Sequence, residues 1–260
     1  MKRTTLAILA MALATPVLAA PRDPLAPVPA GPPAPAVVAP APTATAIDTE
    51  HLQPDDRTTI PDYRRAEEHV FKAIFATNVV AWVLAEPSFE REYGIGLVEK
   101  NGSYRAFMLE PSEQVWEFTV LGMIKNGEMT STDNQGRSTT ADQIKAMEAR
   151  LPPRPEDLEI SRCEIPISKP LAERVLQSWR LMLARTAPNG REGFDGEIYH
   201  FGLREGGTLR TGQTWSPDED TNPYRLVLIA DALRKACKTM TAAHLSAIPA
   251  LADAIAANQK

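Results

Sequence analysis

The segment DGEIYHFGLREGGTLRTGQTWSP, residues 195–217, gathers groups that could do chemistry: Asp195, Tyr199, His200, Arg210 and Trp215. An imidazole beside a carboxylate or guanidinium can move protons near neutral pH. The same set could instead bind a partner through one aromatic ring and two opposite charges. Strand alternation divides it. Tyr199, Phe201 and Leu203 share one face, which is the face to bury, and His200 points the other way with Ile198. Asp195, His200, Arg210 and Trp215 are the candidate binding residues, and no residue is assigned a catalytic role. The competing reading makes Tyr199, Phe201 and Trp215 scaffold. His200 is then a solvated sheet residue, or one covered by a helix. That reading is preferred, because a lone histidine without a partner of defined geometry seldom marks a site. It predicts that His200→Ala is tolerated, whereas Tyr199→Ala and Trp215→Ala destabilise.

Other chemistries find little support. His51, His69, His200 and His244 are scattered, with no metal-ligand spacing. Asp218, Asp220 and Asn222 mimic the start of a calcium loop, but Pro223 stands at the glycine position and Ile229 at the bidentate-glutamate position. Motifs of serine hydrolases, zinc proteases and phosphate-binding loops are missing. A carboxylate pair assembled by folding leaves no local trace, so acid–base hydrolysis involving His200 stays open. No cofactor or metal is expected. Cys163 and Cys237 are the only cysteines. Both fall on apolar faces, and in an exported chain an even count favours a disulfide. Two buried free thiols are the alternative.

The elements that position these residues follow from periodicity. Pro61 to Leu84 carries a helical stripe through Tyr63, Ala66, Val70, Ile74 and Trp82, with Glu67, Glu68 and Lys72 on the opposite side. Asn101-Gly102 predicts a tight hairpin in YGIGLVEKNGSYRAFML, pairing Lys100 with Ser103, Leu97 with Ala106, and Gly96 with Phe107. Residues 112–124 read either as a helix capped by Ser112 or as a strand. Thr140 and Gln143 form a capping box for a short helix to Arg150. Leu158–Ile167 predicts a strand with a bulge near Arg162. A helix follows Ser168, with Leu171, Val175, Trp179 and Met182 inward. Another starts at Asn222-Pro223, with Leu226, Ile229, Ala230, Leu233 and Cys237 inward. An alanine-rich helix interrupted at Pro249 closes the chain.

The order helix, hairpin, turn occurs at 62–112 and again at 170–218, each time with a helical tryptophan (Trp82, Trp179) before the hairpin. This suggests a weak internal duplication. The fold class is α+β: an antiparallel sheet of hairpins, plus the strand at Cys163, packed with several helices.

The ends of the sequence indicate location. Lys2 and Arg3, then an apolar run of about 10 residues and small residues at Ala19 and Ala20, give a signal peptide over 1–20. The run is too short to span a membrane. Residues 21–45 are rich in proline and alanine and form a disordered leader that could reach about 75 Å. Residues 46–260 form one domain. The net charge of −5 becomes −7 without Lys2 and Arg3, which gives no general affinity for nucleic acid or anionic lipid.

The combination of Cys-Glu-Ile-Pro-Ile-Ser at 163–168, Trp179, Asp195-Gly196, Tyr199-His200-Phe201 and Thr214-Trp215-Ser216-Pro217 resembles a loose group of uncharacterised exported bacterial proteins. The resemblance covers about residues 93–237. It implies location and domain extent and carries no activity. The functional expectation is an exported, non-catalytic binding or inhibitory module in the periplasm or outside the cell. Its partner would be an envelope protein or glycan, with no nucleic acid and no transmembrane anchor. The alternatives are an envelope hydrolase using carboxylates with His200, and a structural component tethered by the proline-rich spacer.

Overall fold

The computed structural model describes residues 49–55, 61–127, 141–188 and 195–258. All belong to one unit, Thr45–Lys260. The expected signal peptide and leader lie outside the described residues, as does Thr140 of the expected capping box.

Six strands form one antiparallel sheet. In chain order they are β1 (Val79–Pro87), β2 (Tyr93–Lys100), β3 (Ser103–Pro111), β4 (Ile160–Ile167), β5 (Glu197–Glu205) and β6 (Thr208–Trp215). Their spatial order is β4-β3-β2-β1-β5-β6. The helices are α1 (Pro61–Val70), α2 (Val115–Lys125), α3 (Ala141–Arg150), α4 (Lys169–Ala184), α5 (Asn222–Thr239) and α6 (Ile248–Ala257). This is the expected α+β architecture, with hairpins β2–β3 and β5–β6 on either side of β1.

The β2–β3 register follows the expectation pair by pair: Lys100 faces Ser103, Leu97 faces Ala106, and Gly96 faces Phe107. Asn101 and Gly102 have φ of 54° and 75°, the positive values a two-residue hairpin turn requires. Alternation then gives the sheet two buried faces. Val83, Ile95, Met108, Tyr199, Phe201 and Leu203 pack on α4, α5 and α6. Trp82, Leu84, Phe107 and Leu109 pack against residues of α1 and α2. Cys163 on β4 and Cys237 on α5 are joined by a disulfide, with Cα atoms 5.7 Å apart.

Several expectations are corrected. The helix begun at Pro61 ends at Val70, and Val79–Pro87 is the strand β1. VVAWVLA is a continuous apolar run, as expected of a strand buried on both faces, and such a run cannot be told from a buried helix by periodicity. Trp82 is therefore a strand residue while Trp179 is helical, so the proposed tryptophan parallel between two duplicated halves fails. Glu67 is fully buried rather than facing solvent. The β3–β4 register runs unbroken through Leu109–Arg162, with no bulge there. Leu171 is only partly buried, against full burial of Val175, Trp179 and Met182. Pro249 lies in the first turn of α6 and opens that helix rather than interrupting it.

Residues 112–124 resolve as the helix α2, and Ser112 is not its cap. Glu92, just before β2, accepts the backbone N–H of Val115 at 2.8 Å and of Trp116 at 2.9 Å. This buried carboxylate satisfies two orphan donors at the helix N-terminus. Tyr63 of α1 donates its hydroxyl to the same carboxylate at 3.2 Å, tying α1 to α2.

Candidate functional site

His200 is on the face expected from alternation, opposite Tyr199 and Phe201, but it is completely buried. Of the two positions expected for it, solvated or covered, burial excludes the first. Leu84 of β1 is its direct cross-strand partner, which puts Glu86 two residues along on the same face. The Nδ1 of His200 lies 2.8 Å from Asp55 Oδ1, and Nε2 lies 2.7 Å from Glu86 Oε1. The second approach falls outside hydrogen-bond geometry despite its short distance.

The network continues beyond the histidine. Arg64 of α1 pairs with Glu86 and also with Glu67, the latter at 2.6 Å. Acidic and basic groups thus alternate in the order Asp55, His200, Glu86, Arg64, Glu67. Burial opposes ionisation of Glu86, but His200 and Arg64 outweigh it and hold its carboxyl below the ordinary value. Burial likewise pushes the His200 imidazole down, and Glu86 and Asp55 outweigh that, leaving it above the ordinary histidine value. With both ring nitrogens engaged and no exposed surface, His200 cannot meet a substrate in this conformation.

The other candidates are not brought to His200. Asp195 is exposed ahead of β5. Arg210 faces Leu203 in the β5–β6 register, hence lies on the opposite side of the sheet, and pairs with Glu205 at 2.6 Å. Trp215 pairs with Ile198 on the His200 side, and its indole packs over Gly196. Among the described residues no cluster of three or more His, Cys, Asp or Glu side chains could hold a metal ion.

A second location is accessible. A polar cleft of about 470 Å³ opens between the β1–β2 connection, the start of α2, and the ends of α3 and α5. Most of its charges are paired. Lys238 meets Glu110 at 2.7 Å, and Arg150 meets Glu117 at 2.8 Å and Glu113 at 3.1 Å. Partial burial raises the Glu110 carboxyl, but Lys238, Arg91 and Arg234 overcome this and keep it low. Arg234 also stacks 3.9 Å above the Tyr93 ring. Arg91 is different: among the described residues its guanidinium donates to the carbonyls of Pro111 and Ser112, each at 3.4 Å, and forms no direct ion pair. Beside it, Phe89 is 80% exposed.

Sequence reasoning missed Asp55, Arg64, Glu67, Glu86 and the Phe89–Arg91 corner. One signal was present: Glu67 lies four residues after Tyr63 and three before Val70, on the buried stripe itself. Glu86 took its partners from β5 and α1, which no local pattern reveals. No protein-family model, curated protein or solved structure matches this chain.

Proposed function

We propose that the protein is an exported binding module of the cell envelope that engages a protein partner through Phe89 and Arg91. The observation that carries this reading is the pairing of a largely exposed aromatic ring with a neighbouring guanidinium that, among the described residues, forms no direct ion pair and acts on Glu110 only at longer range. Aromatic and arginine side chains dominate the energetics of protein interfaces. A cation so placed suits an acidic side chain on the partner, with the Phe89 ring as the apolar anchor. The hydrolase reading is weaker, because its histidine is buried between two carboxylates. Action in the periplasm or outside the cell is supported by the Cys163–Cys237 bridge, since disulfides persist in oxidising compartments. Among the described residues no helix is long and apolar enough to cross a membrane.

The test is a photo-crosslinking residue placed at position 89 of the full chain in its native host. The expected result is a single light-dependent adduct with one envelope protein, reduced at least several-fold by Arg91→Ala. A crosslinker at the exposed Leu209 serves as control. Absence of an adduct from position 89, or the same adduct from both positions, rejects this surface.

A further inference from the structure

His200 fastens a separate piece of chain to the sheet. Residues 49–55 form a strap along the outer edge of β6. Gln53 and Gln213 exchange both backbone hydrogen bonds, at 2.8 and 2.9 Å. Leu52 is fully buried, and its carbonyl accepts the Ala187 amide at 2.8 Å. Glu50 accepts the Asn222 amide at the start of α5 at 3.2 Å. At the strap's other end, Asp55 reaches His200.

The charge state of that contact follows from the donors available. A carboxylate only accepts hydrogen bonds, and a neutral imidazole offers one N–H and one lone pair. A neutral His200 would therefore turn a lone pair toward Asp55 or Glu86. Glu86 cannot relieve this by donating a proton, because Arg64 holds it ionised. We propose that His200 is a buried imidazolium that latches the strap to the sheet, and that loss of its proton frees the strap and bares the β6 edge at Gln213.

The direction of the response is set by linkage. Asp55 from the strap and Glu86 from β1 face the ring directly; Arg64 and Glu67 of α1 act on it through Glu86. β6 contributes the neutral Gln213 at the paired position. Burial lowers the His200 pKa, but Glu86 and Asp55 outweigh it and hold it above its ordinary 6.5 in the closed form. On this proposal the loss of the Asp55 carboxylate on opening outweighs the hydration the ring regains, so opening lowers that pKa. Closure is thus fully favoured below the open-form value and is lost as pH rises through the closed-form value. A bared edge presents unpaired N–H and C=O groups, which accept a strand from a partner. This inference does not depend on the Phe89–Arg91 surface.

Amide hydrogen exchange of the full folded domain between about pH 5 and about pH 9 tests it, with rates corrected for intrinsic base catalysis. Protection of the Gln53 and Gln213 amides is expected to fall about tenfold per pH unit between the open-form and closed-form values, while that of core amides is retained. In Asp55→Asn the strap amides are expected to show low protection with little pH dependence, again with an intact core. Nitrogen NMR of the His200 ring is expected to show two protonated nitrogens while the strap is closed. Three exchange results overturn the proposal: flat strap protection in the parent, an undiminished slope in Asp55→Asn, or a loss of protection shared by the whole core. A singly protonated ring in the closed form also overturns it.

Discussion

The indole of Trp82 fills the space above Gly202, its direct cross-strand neighbour. A Cβ at Gly202 would lie 2.1 Å from the ring. On the other side of β1, Trp82 pairs with Gly96, and Gly96 is covered in turn by Phe107, 2.4 Å from where its Cβ would be. Across the centre of the sheet, large rings alternate with bare glycines. Gly202→Ala is expected to destabilise by about 1–3 kcal/mol or more, since a buried ring must shift. Gly122→Ala in α2, where a Cβ meets open space, is expected to stabilise by about 0.5–1 kcal/mol. Chemical denaturation of the two variants checks the opposite signs.

His200→Ala is expected to destabilise by about 3–5 kcal/mol, because it leaves Asp55 and Glu86 buried without the cation between them. This reverses the tolerance expected from strand alternation alone. The pH dependence has two limbs. The folded-state pKa of Glu86 is lowered, so its contribution is present above its ordinary 4.5 and is lost as pH falls through the lowered value. The folded-state pKa of His200 is raised, so its contribution is complete below 6.5 and is lost as pH rises through the raised value. Parent stability is therefore greatest between those two ordinary values as far as this network is concerned. Urea denaturation across that range checks it, and the alkaline limb is expected to vanish in His200→Ala.

These two results mark how far the sequence can be read. Local patterns located the β2–β3 hairpin to the residue pair, the starts of α4 and α5, and the two faces of β5. They also brought Cys163 and Cys237 to facing apolar surfaces, where the structure joins them. Each of those inferences needs only near neighbours along the chain. The failures needed a distant partner. β1 looked helical because a strand buried on both faces shows no alternation. The burial of His200 against Asp55, 145 residues away, left no local sign. Glu92 gave no sign of capping α2 because the helix begins 23 residues later.

Glu92 gives a further prediction. Its carboxylate accepts two α2 amides and the Tyr63 hydroxyl while almost completely buried. Glu92→Ala removes the cap and leaves those donors without their acceptor, so a loss of about 2 kcal/mol or more is expected. Glu92→Gln keeps one carbonyl oxygen and is expected to lose less. Denaturation gives the ranking, and hydrogen exchange at Val115 and Trp116 locates the loss at the helix start. An equal cost for both variants would argue that packing rather than capping sets the effect.

The disulfide supplies the last prediction. Cys163 lies on β4, an edge strand of the sheet, and Cys237 in the last turns of α5, with a sequence separation of 74. Bridging them restricts the unfolded chain, and the loop-entropy model puts the stabilisation at about 4 kcal/mol. Cys237 is buried, and serine there sets a hydroxyl among Leu233, Ala236 and the β4 residues. Cys163→Ala with Cys237→Ala is therefore the cleaner variant. Its unfolding midpoint in urea is expected to fall, and adding reductant is expected to bring the parent close to the variant while leaving the variant unchanged. Thiol titration of the denatured, unreduced parent is expected to find no free cysteine. Two reactive thiols in that sample, or a midpoint that reductant does not move, would remove the bridge from the account of what holds β4 against α5.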